Sequence, residues 1–423
     1  MVRTQLAAPF LALSAAIGLS TQAASAPAAS DPIPRLQVLH WPTEQAALTP
    51  SLTADHRAGR FLLSWQERLP AGCARLMLAT ISLDGAGGES REVARGCDWF
   101  VNWADHPRMA VADNGDWLGF WLQKEGPGTY HYGIRVVRSQ DEGRSWSAPL
   151  TPHDDGTLSE HGFVSLAAAG EDRMLMIWLD GRYTAGGGDH GHDHSGHEGP
   201  MSLRAAVLRR DGSIEAPAEI DARVCSCCPT ALLREADGRH LAVWRDRSEH
   251  EVRDIAFGRR DARGWRGLGL VHADNWRIEA CPVNGPALAL QSRRPVVAWS
   301  TMPDARSMSV QLRALDDRSA PLTLEEGPGV LGRVALAPFG KGVLAAWLGS
   351  GAPGESVLRL ALLDAELKER TRMDVVTLPA GRAIGMPSLA ALGEVGVLAW
   401  TEPDPKQPGK TALQVRRIEA ARP

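Results

Sequence analysis

Short apolar runs that close on tryptophan recur along the chain. They read Phe61-Leu62-Leu63-Ser64-Trp65, Trp117-Leu118-Gly119-Phe120-Trp121, Leu175-Met176-Ile177-Trp178, Leu241-Ala242-Val243-Trp244, Pro295-Val296-Val297-Ala298-Trp299, Val343-Leu344-Ala345-Ala346-Trp347 and Val395-Gly396-Val397-Leu398-Ala399-Trp400. The closing tryptophans stand 48 to 66 residues apart, a period that marks one supersecondary unit repeated. Short strand-like pieces precede most runs, as in Pro50-Ser51-Leu52, Pro107-Arg108-Met109, Pro229-Thr230-Ala231-Leu232, Pro286-Ala287-Leu288 and Pro387-Ser388-Leu389, each separated from its run by a Gly or Asp turn. Alternating segments follow at residues 76–83, 134–138, 203–208, 255–258, 310–315, 358–363 and 413–418. A fourth strand after the next turn completes a four-stranded antiparallel sheet, the blade of a β-propeller. The last repeat stops after three strands, and residues 35–40, strand-like and without a partner, are expected to supply its outer strand and close the ring. The pattern predicts an all-β protein with seven blades in one domain over residues 35–423, or six if the first or last repeat forms no blade.

Composition narrows the function classes. The 423 residues carry 46 Lys+Arg against 50 Asp+Glu, a net charge of −4, which excludes a basic nucleic-acid binder. The 14 Trp, 43 Gly and 28 Pro suit many short strands and turns. Arg3, an apolar stretch from Leu6 to Leu19 and the small residues Ser20 to Ala26 read as a signal peptide over 1–26, followed by a linker at 27–34. The apolar stretch is too short to span a bilayer, and no later segment is long enough. The expectation is therefore a soluble periplasmic or secreted protein, and export makes disulfides possible for its six Cys.

One turn resembles a known family. Ser139-Gln140-Asp141-Glu142-Gly143-Arg144-Ser145-Trp146 is similar to the Asp box, S-x-D-x-G-x-x-W, of sialidase-like (BNR-repeat) propellers, with Ser139, Asp141, Gly143 and Trp146 at the defining positions. Arg260-Asp261-Ala262-Arg263-Gly264-Trp265 is a degenerate echo. The resemblance implies that the Asp box is structural and that the active face of the ring is the one without it. It also implies an exo-sialidase chemistry to weigh: an arginine cluster for a substrate carboxylate, a Tyr nucleophile with a Glu partner and an Asp acid/base. Asp180, Arg182, Tyr183, Arg245 and Asp246 are the candidates on that face. The family's Arg-Ile-Pro motif is absent, with only Ile33-Pro34-Arg35 near its place, and the chain has three Tyr, so a catalytic role is less expected than a binding one.

Strand order places all six cysteines on the face opposite the Asp box. Cys73 and Cys97 fall in neighbouring loops of the first repeat and are expected to form a disulfide. Cys225-Ser226-Cys227-Cys228 precedes the inner strand of the fourth repeat, and Cys281 that of the fifth. His106, His161 and Met386 precede the inner strands of repeats two, three and seven, so Cys, His and Met are expected to converge on the axial mouth. Soft sulfur and imidazole donors select copper, with zinc as the alternative, over calcium or magnesium. Against a metal stands simple bridging, for example Cys228 with Cys281. An insertion at 186–199 places His190, His192, His194 and His197 among glycines on the same face, a composition that recruits metal or serves as a solvated loop. The sequence thus favours an exported propeller that binds a metal ion. Its alternatives are a sialidase-type hydrolase and a propeller that docks a periplasmic protein partner with purely structural disulfides.

Overall fold

The computed structural model describes residue 1 and residues 34–420 except 42, 44, 185–198, 305, 405, 406 and 408. The expected signal peptide beyond residue 1, nearly all of the linker, and His190, His192, His194 and His197 lie outside the described residues. Those described from residue 34 onward belong to one unit, and no described helix is long and apolar enough to cross a membrane.

Seven antiparallel sheets form the seven blades. From the inner strand outward, blade 1 is Ala47–Asp55, Arg60–Arg68, Ala74–Ser82 and Arg91–Gly96. Blade 3 is His161–Ala168, Arg173–Asp180, Ser202–Arg209 and Ile214–Asp221, and blade 4 is Ala231–Arg234, His240–Arg245, Ile255–Asp261 and Gly264–Leu270. Blades 5 and 6 repeat this order from inner strands Ala287–Gln291 and Gly332–Phe339. Blade 2 has three regular strands, Met109–Val111, Trp117–Lys124 and Tyr132–Ser139, and its outer position is reduced to a bridge between Val136 and Leu150. Blade 7 runs Ser388–Leu392, Val395–Pro403 and Thr411–Glu419, and Arg35–Leu39 pairs antiparallel with the last of these, from Arg35 opposite Glu419 to Leu39 opposite Val415. The first of the described strands therefore closes the ring, and the open edge of Thr411–Glu419 is covered.

The repeated tryptophans are the reason the blades stay together. One buried apolar cluster fills each of the seven interfaces between neighbouring blades, and each contains one tryptophan of the repeat facing the preceding blade. Burying an indole removes 150–250 Å² from water, or roughly 4–6 kcal/mol gross per interface. A buried indole N–H also needs an acceptor. In the early blades it lies two residues along the same strand: Trp65 donates to Glu67 (2.9 Å), Trp121 to Gln123 (3.3 Å) and Trp178 to Asp180 (2.8 Å). In the later ones it comes from the outer side of the preceding blade: Trp244 to Asp221 (2.9 Å), Trp299 to Asp274 (2.7 Å) and Trp347 to Glu325 (2.6 Å). Trp400 alone among the seven has a buried indole nitrogen without a partner.

The turn after Ser139 is a capped loop. Ser139 Oγ accepts the Gly143 amide (2.7 Å), and Asp141 accepts both the amide and the hydroxyl of Ser145 (2.9 and 2.6 Å). Gly143 has φ +77°, and a Cβ there would lie 3.1 Å from the Trp117 ring, so the motif requires glycine. In the echo, Asp261 accepts the Arg263 amide at 2.7 Å.

Candidate metal centre

Two loops and one close backbone approach assemble the cysteine cluster. The loop from blade 3 to blade 4 is pinned where the Cys225 amide donates to Arg245 O (3.0 Å) and Val224 bridges to Asp246. The loop from blade 4 to blade 5 comes against it at Gly285, where a Cβ would stand 2.0 Å from Pro229 O. Only a glycine permits that approach, which brings Cys281 beside the first loop.

The sulfurs of Cys225, Cys227 and Cys228 all lie within 4.8 Å of one another. Cys225 Sγ is 3.7 Å from Cys227 Sγ and 3.1 Å from Cys228 Sγ, and Cys281 is near enough for Cys227 and Ser226 to lower its pKa. Cys225 and Cys228 are buried, whereas Cys227 and Cys281 are half-buried. The Arg253 guanidinium donates to Cys225 Sγ (3.4 Å) and to Glu251 (2.7 Å). Burial pushes the Cys225 thiol up, but hydrogen bonds from Cys227 and Cys228 and the Arg253 charge outweigh it, so Cys225 lies well below the ordinary thiol range. Cys281 is also held down, by its hydrogen bond from Cys227. Burial, followed by the Cys225 sulfur, drives Cys227 and Cys228 upward. The cluster therefore holds thiolate character at Cys225 beside a fixed cation. Arg253 was not legible as a partner, because it stands 28 positions away on a different loop.

His106 and Met386 line the central channel, a cavity of about 480 Å³ walled by the inner strands. His106 Nδ1 hydrogen-bonds Ala104 O (3.0 Å), and burial followed by the Arg108 charge lowers its pKa to about 3. His161 belongs to a different group. Its Nε2 meets Asp155 at 2.9 Å and its Nδ1 meets Ser159 O at 3.2 Å, so both nitrogens donate and the ring is an imidazolium. Burial opposes that charge, but Asp155 and Asp180 raise the pKa above the ordinary histidine value. His153 stacks on it with ring centroids 3.9 Å apart. His153, Asp155 and His161 form a second set of close donors, but Arg182 already binds Asp155 (3.2 Å) and is paired with Asp180 (2.7 Å).

The residues weighed for sialidase chemistry are mostly engaged in structure. Arg245 is buried with each of its three nitrogens donating to a backbone carbonyl, Asn284 O, Arg253 O and Ser300 O, at 2.7–2.8 Å, and it stacks on Trp276. Asp180 holds the Trp178 indole and Arg182. Tyr183 is exposed and donates to Glu219 (2.9 Å). Asp246 caps the Arg247 amide (2.7 Å), and burial and Asp221 raise its pKa to about 6. A buried group at the mouth was missed from sequence. Tyr132 OH lies 3.0 Å from Asp105 and 2.6 Å from Glu160, and Asp105 also accepts the Phe163 amide (2.7 Å). One hydroxyl proton cannot serve two carboxylates, so a carboxyl proton must make the second bond. Desolvation raises Asp105 to about 7 and Glu160 to about 8. Tyr132 is 1% exposed and closed to any substrate. Cys73 and Cys97 form a disulfide.

No family model matches the chain, and neither does any curated protein sequence. Among solved structures it is similar to an ulvan lyase of a polysaccharide lyase family, at 8% identity and TM-score 0.54 over 91% of this chain and 96% of that one. A protein of unknown function from Dyadobacter fermentans is similar at 13% identity and TM-score 0.50, over 91% and 98% of the two chains. The Hadza microbial sialidase Hz136 gives 12% identity and TM-score 0.47, over 82% and 73%. At these identities a likeness concerns the fold alone, and the fold of this chain is a seven-bladed β-propeller.

Proposed function

We propose that this propeller is an exported protein that binds a soft transition metal, cuprous copper in first place and zinc in second, through Cys225, Cys227 and Cys228 with Cys281 beside them. The observation that carries the reading is the convergence of three sulfurs within 4.8 Å, with a fourth cysteine on a separate loop that Gly285 brings against theirs. Thiolates select Cu(I), Zn and iron–sulfur clusters over hard cations. Two thiolates on one tetrahedral ion at about 2.3 Å stand roughly 3.8 Å apart, close to the 3.7 Å between Cys225 and Cys227. Cys228 would open from 3.1 Å to the same spacing. Arg253 offsets the negative charge that several thiolates on a monovalent ion would leave in a buried place. Export rests on the leader-like first 26 residues together with the Cys73–Cys97 disulfide, which suits an oxidising compartment.

Titration of reduced protein with Cu(I) against a chromogenic chelator tests this. Stoichiometric uptake is expected, with Cys225→Ser together with Cys227→Ser abolishing it. Unchanged uptake in that double variant would sink the reading. A parallel Zn(II) titration ranks the two metals, and stronger retention of Zn(II) would replace copper by zinc. The sialidase reading has less support, because Arg245 is buried and each of its three nitrogens already donates to a backbone carbonyl.

A further inference from the structure

The four free cysteines divide by position into two pairs. Cys225 and Cys228 are buried, spaced as C-x-x-C, with their sulfurs 3.1 Å apart. Cys227 and Cys281 are half-buried and come from different loops, which the approach of Gly285 to Pro229 brings together. Cys225 Sγ lies 3.7 Å from Cys227 Sγ, so the inner pair touches the outer one through one sulfur. The Arg253 guanidinium on Cys225 completes an electropositive setting of the kind that activates a thiolate. Metal binding alone does not require this layered arrangement.

We infer that the cluster is also a thiol–disulfide exchange centre, in which the outer pair Cys227/Cys281 takes oxidising equivalents from a small or protein disulfide and passes them to the inner pair Cys225/Cys228. This activity needs no metal and does not rest on the metal reading, although both use the same sulfurs. In the first step the Cys281 thiolate attacks an incoming disulfide, forming a mixed disulfide and releasing one thiolate. Cys227 then displaces the second thiolate from Cys281 and gives up its proton to the first. The products are a Cys227–Cys281 disulfide, one free thiol and one free thiolate, so two electrons have passed from protein to oxidant. Next, Cys225 attacks Cys227 across the 3.7 Å gap and Cys281 leaves as a thiolate. Cys228 attacks Cys225 across 3.1 Å, and Cys227 leaves carrying the Cys228 proton. The net result of these two exchanges is a Cys225–Cys228 disulfide and a restored outer dithiol, able to accept two more electron equivalents' worth of oxidation. The fully oxidised cluster would hold two disulfides and no metal-binding thiolate.

The test uses chelator-treated protein equilibrated with reduced and oxidised glutathione, followed by alkylation and mass spectrometry. In oxidising buffer the intact protein is expected to lose all four reactive thiols without forming dimers or retaining glutathione. Paired variants assign the bonds: Cys227→Ser with Cys281→Ser and, separately, Cys225→Ser with Cys228→Ser should each still lose two thiols. The first of these should oxidise its inner pair at least about tenfold more slowly than the intact protein, because access limits exchange at buried sulfur. Four thiols persisting in the intact protein, either variant keeping its pair reduced at equilibrium, or equal inner-pair rates with and without the outer pair would overturn the proposal. Circular dichroism of each variant separates misfolding from lost exchange, and the intact-protein thiol count stands whatever the variants do. Cu(I) uptake by the reduced protein is a separate readout, so either activity can fail without the other.

Discussion

Single side chains in this molecule are sorted by whether their polar atoms find partners. Trp299 and Trp400 are both fully buried in blade interfaces, but the Trp299 indole donates to Asp274 at 2.7 Å whereas the Trp400 nitrogen has no partner. Trp299→Phe is expected to destabilise by about 1.5–3 kcal/mol more than Trp400→Phe, the worth of a hydrogen bond to a charged acceptor, as read from urea unfolding. Equal losses would mean that packing alone sets the value of these residues. The Asp105, Tyr132 and Glu160 group makes a pH prediction. Desolvation raises the two carboxyls from ordinary values of 3.8 and 4.5 to about 7 and about 8. The folded chain therefore holds protons that the unfolded chain has released, and their contribution to stability is complete below about pH 4 and lost as pH rises through 7 to 8. Thermal unfolding across that window should show stability falling with pH, and Asp105→Asn with Glu160→Gln should flatten the slope. A slope that the double variant leaves unchanged would assign the effect to other groups.

Among the elements, the loops at the mouth depend on backbone proximity more than on side-chain contacts. Gly285 sits where any Cβ would collide with Pro229 O at 2.0 Å and Pro229 N at 2.9 Å. Gly285→Ala must part the loop carrying Cys281 from the loop carrying Cys225, Cys227 and Cys228. It is expected to cost roughly 1–3 kcal/mol as an overpacking change and to weaken metal uptake more than an alanine at Gly212, where nothing lies within 4 Å. Gly212 has φ +87°, so that control carries backbone strain without moving the cluster. Equal metal uptake by the two alanine variants would show that the loop approach does not shape the site. The blades themselves were legible in the sequence because alternating strands and a wedge tryptophan recur at a near-constant interval. The outer position of blade 2 was not, since residues after the capped turn at Ser139 make only the Val136–Leu150 bridge.

For the molecule as a whole, strand order alone predicted which loops share a face, and hence that the cysteines of blades 4 and 5 would meet. What it did not fix was the company each would keep. Arg253 and Gly285 shape the cluster through distance in space, and a single sequence carries no pattern for such pairs. His161 illustrates the opposite case. Its position before an inner strand suggested the axial mouth, yet three charged neighbours, Asp155, Asp180 and Arg182, bind it into a network of its own. His106 and Met386 do line the channel. The donor set within 4.8 Å at the candidate centre is made of sulfur, which makes coordination the most direct test. X-ray absorption at the copper edge, on reduced protein loaded with one equivalent of Cu(I), should show a first shell of sulfur scatterers that disappears in Cys225→Ser with Cys227→Ser. A first shell of nitrogen or oxygen, or a sulfur shell unchanged in that variant, would contradict the account.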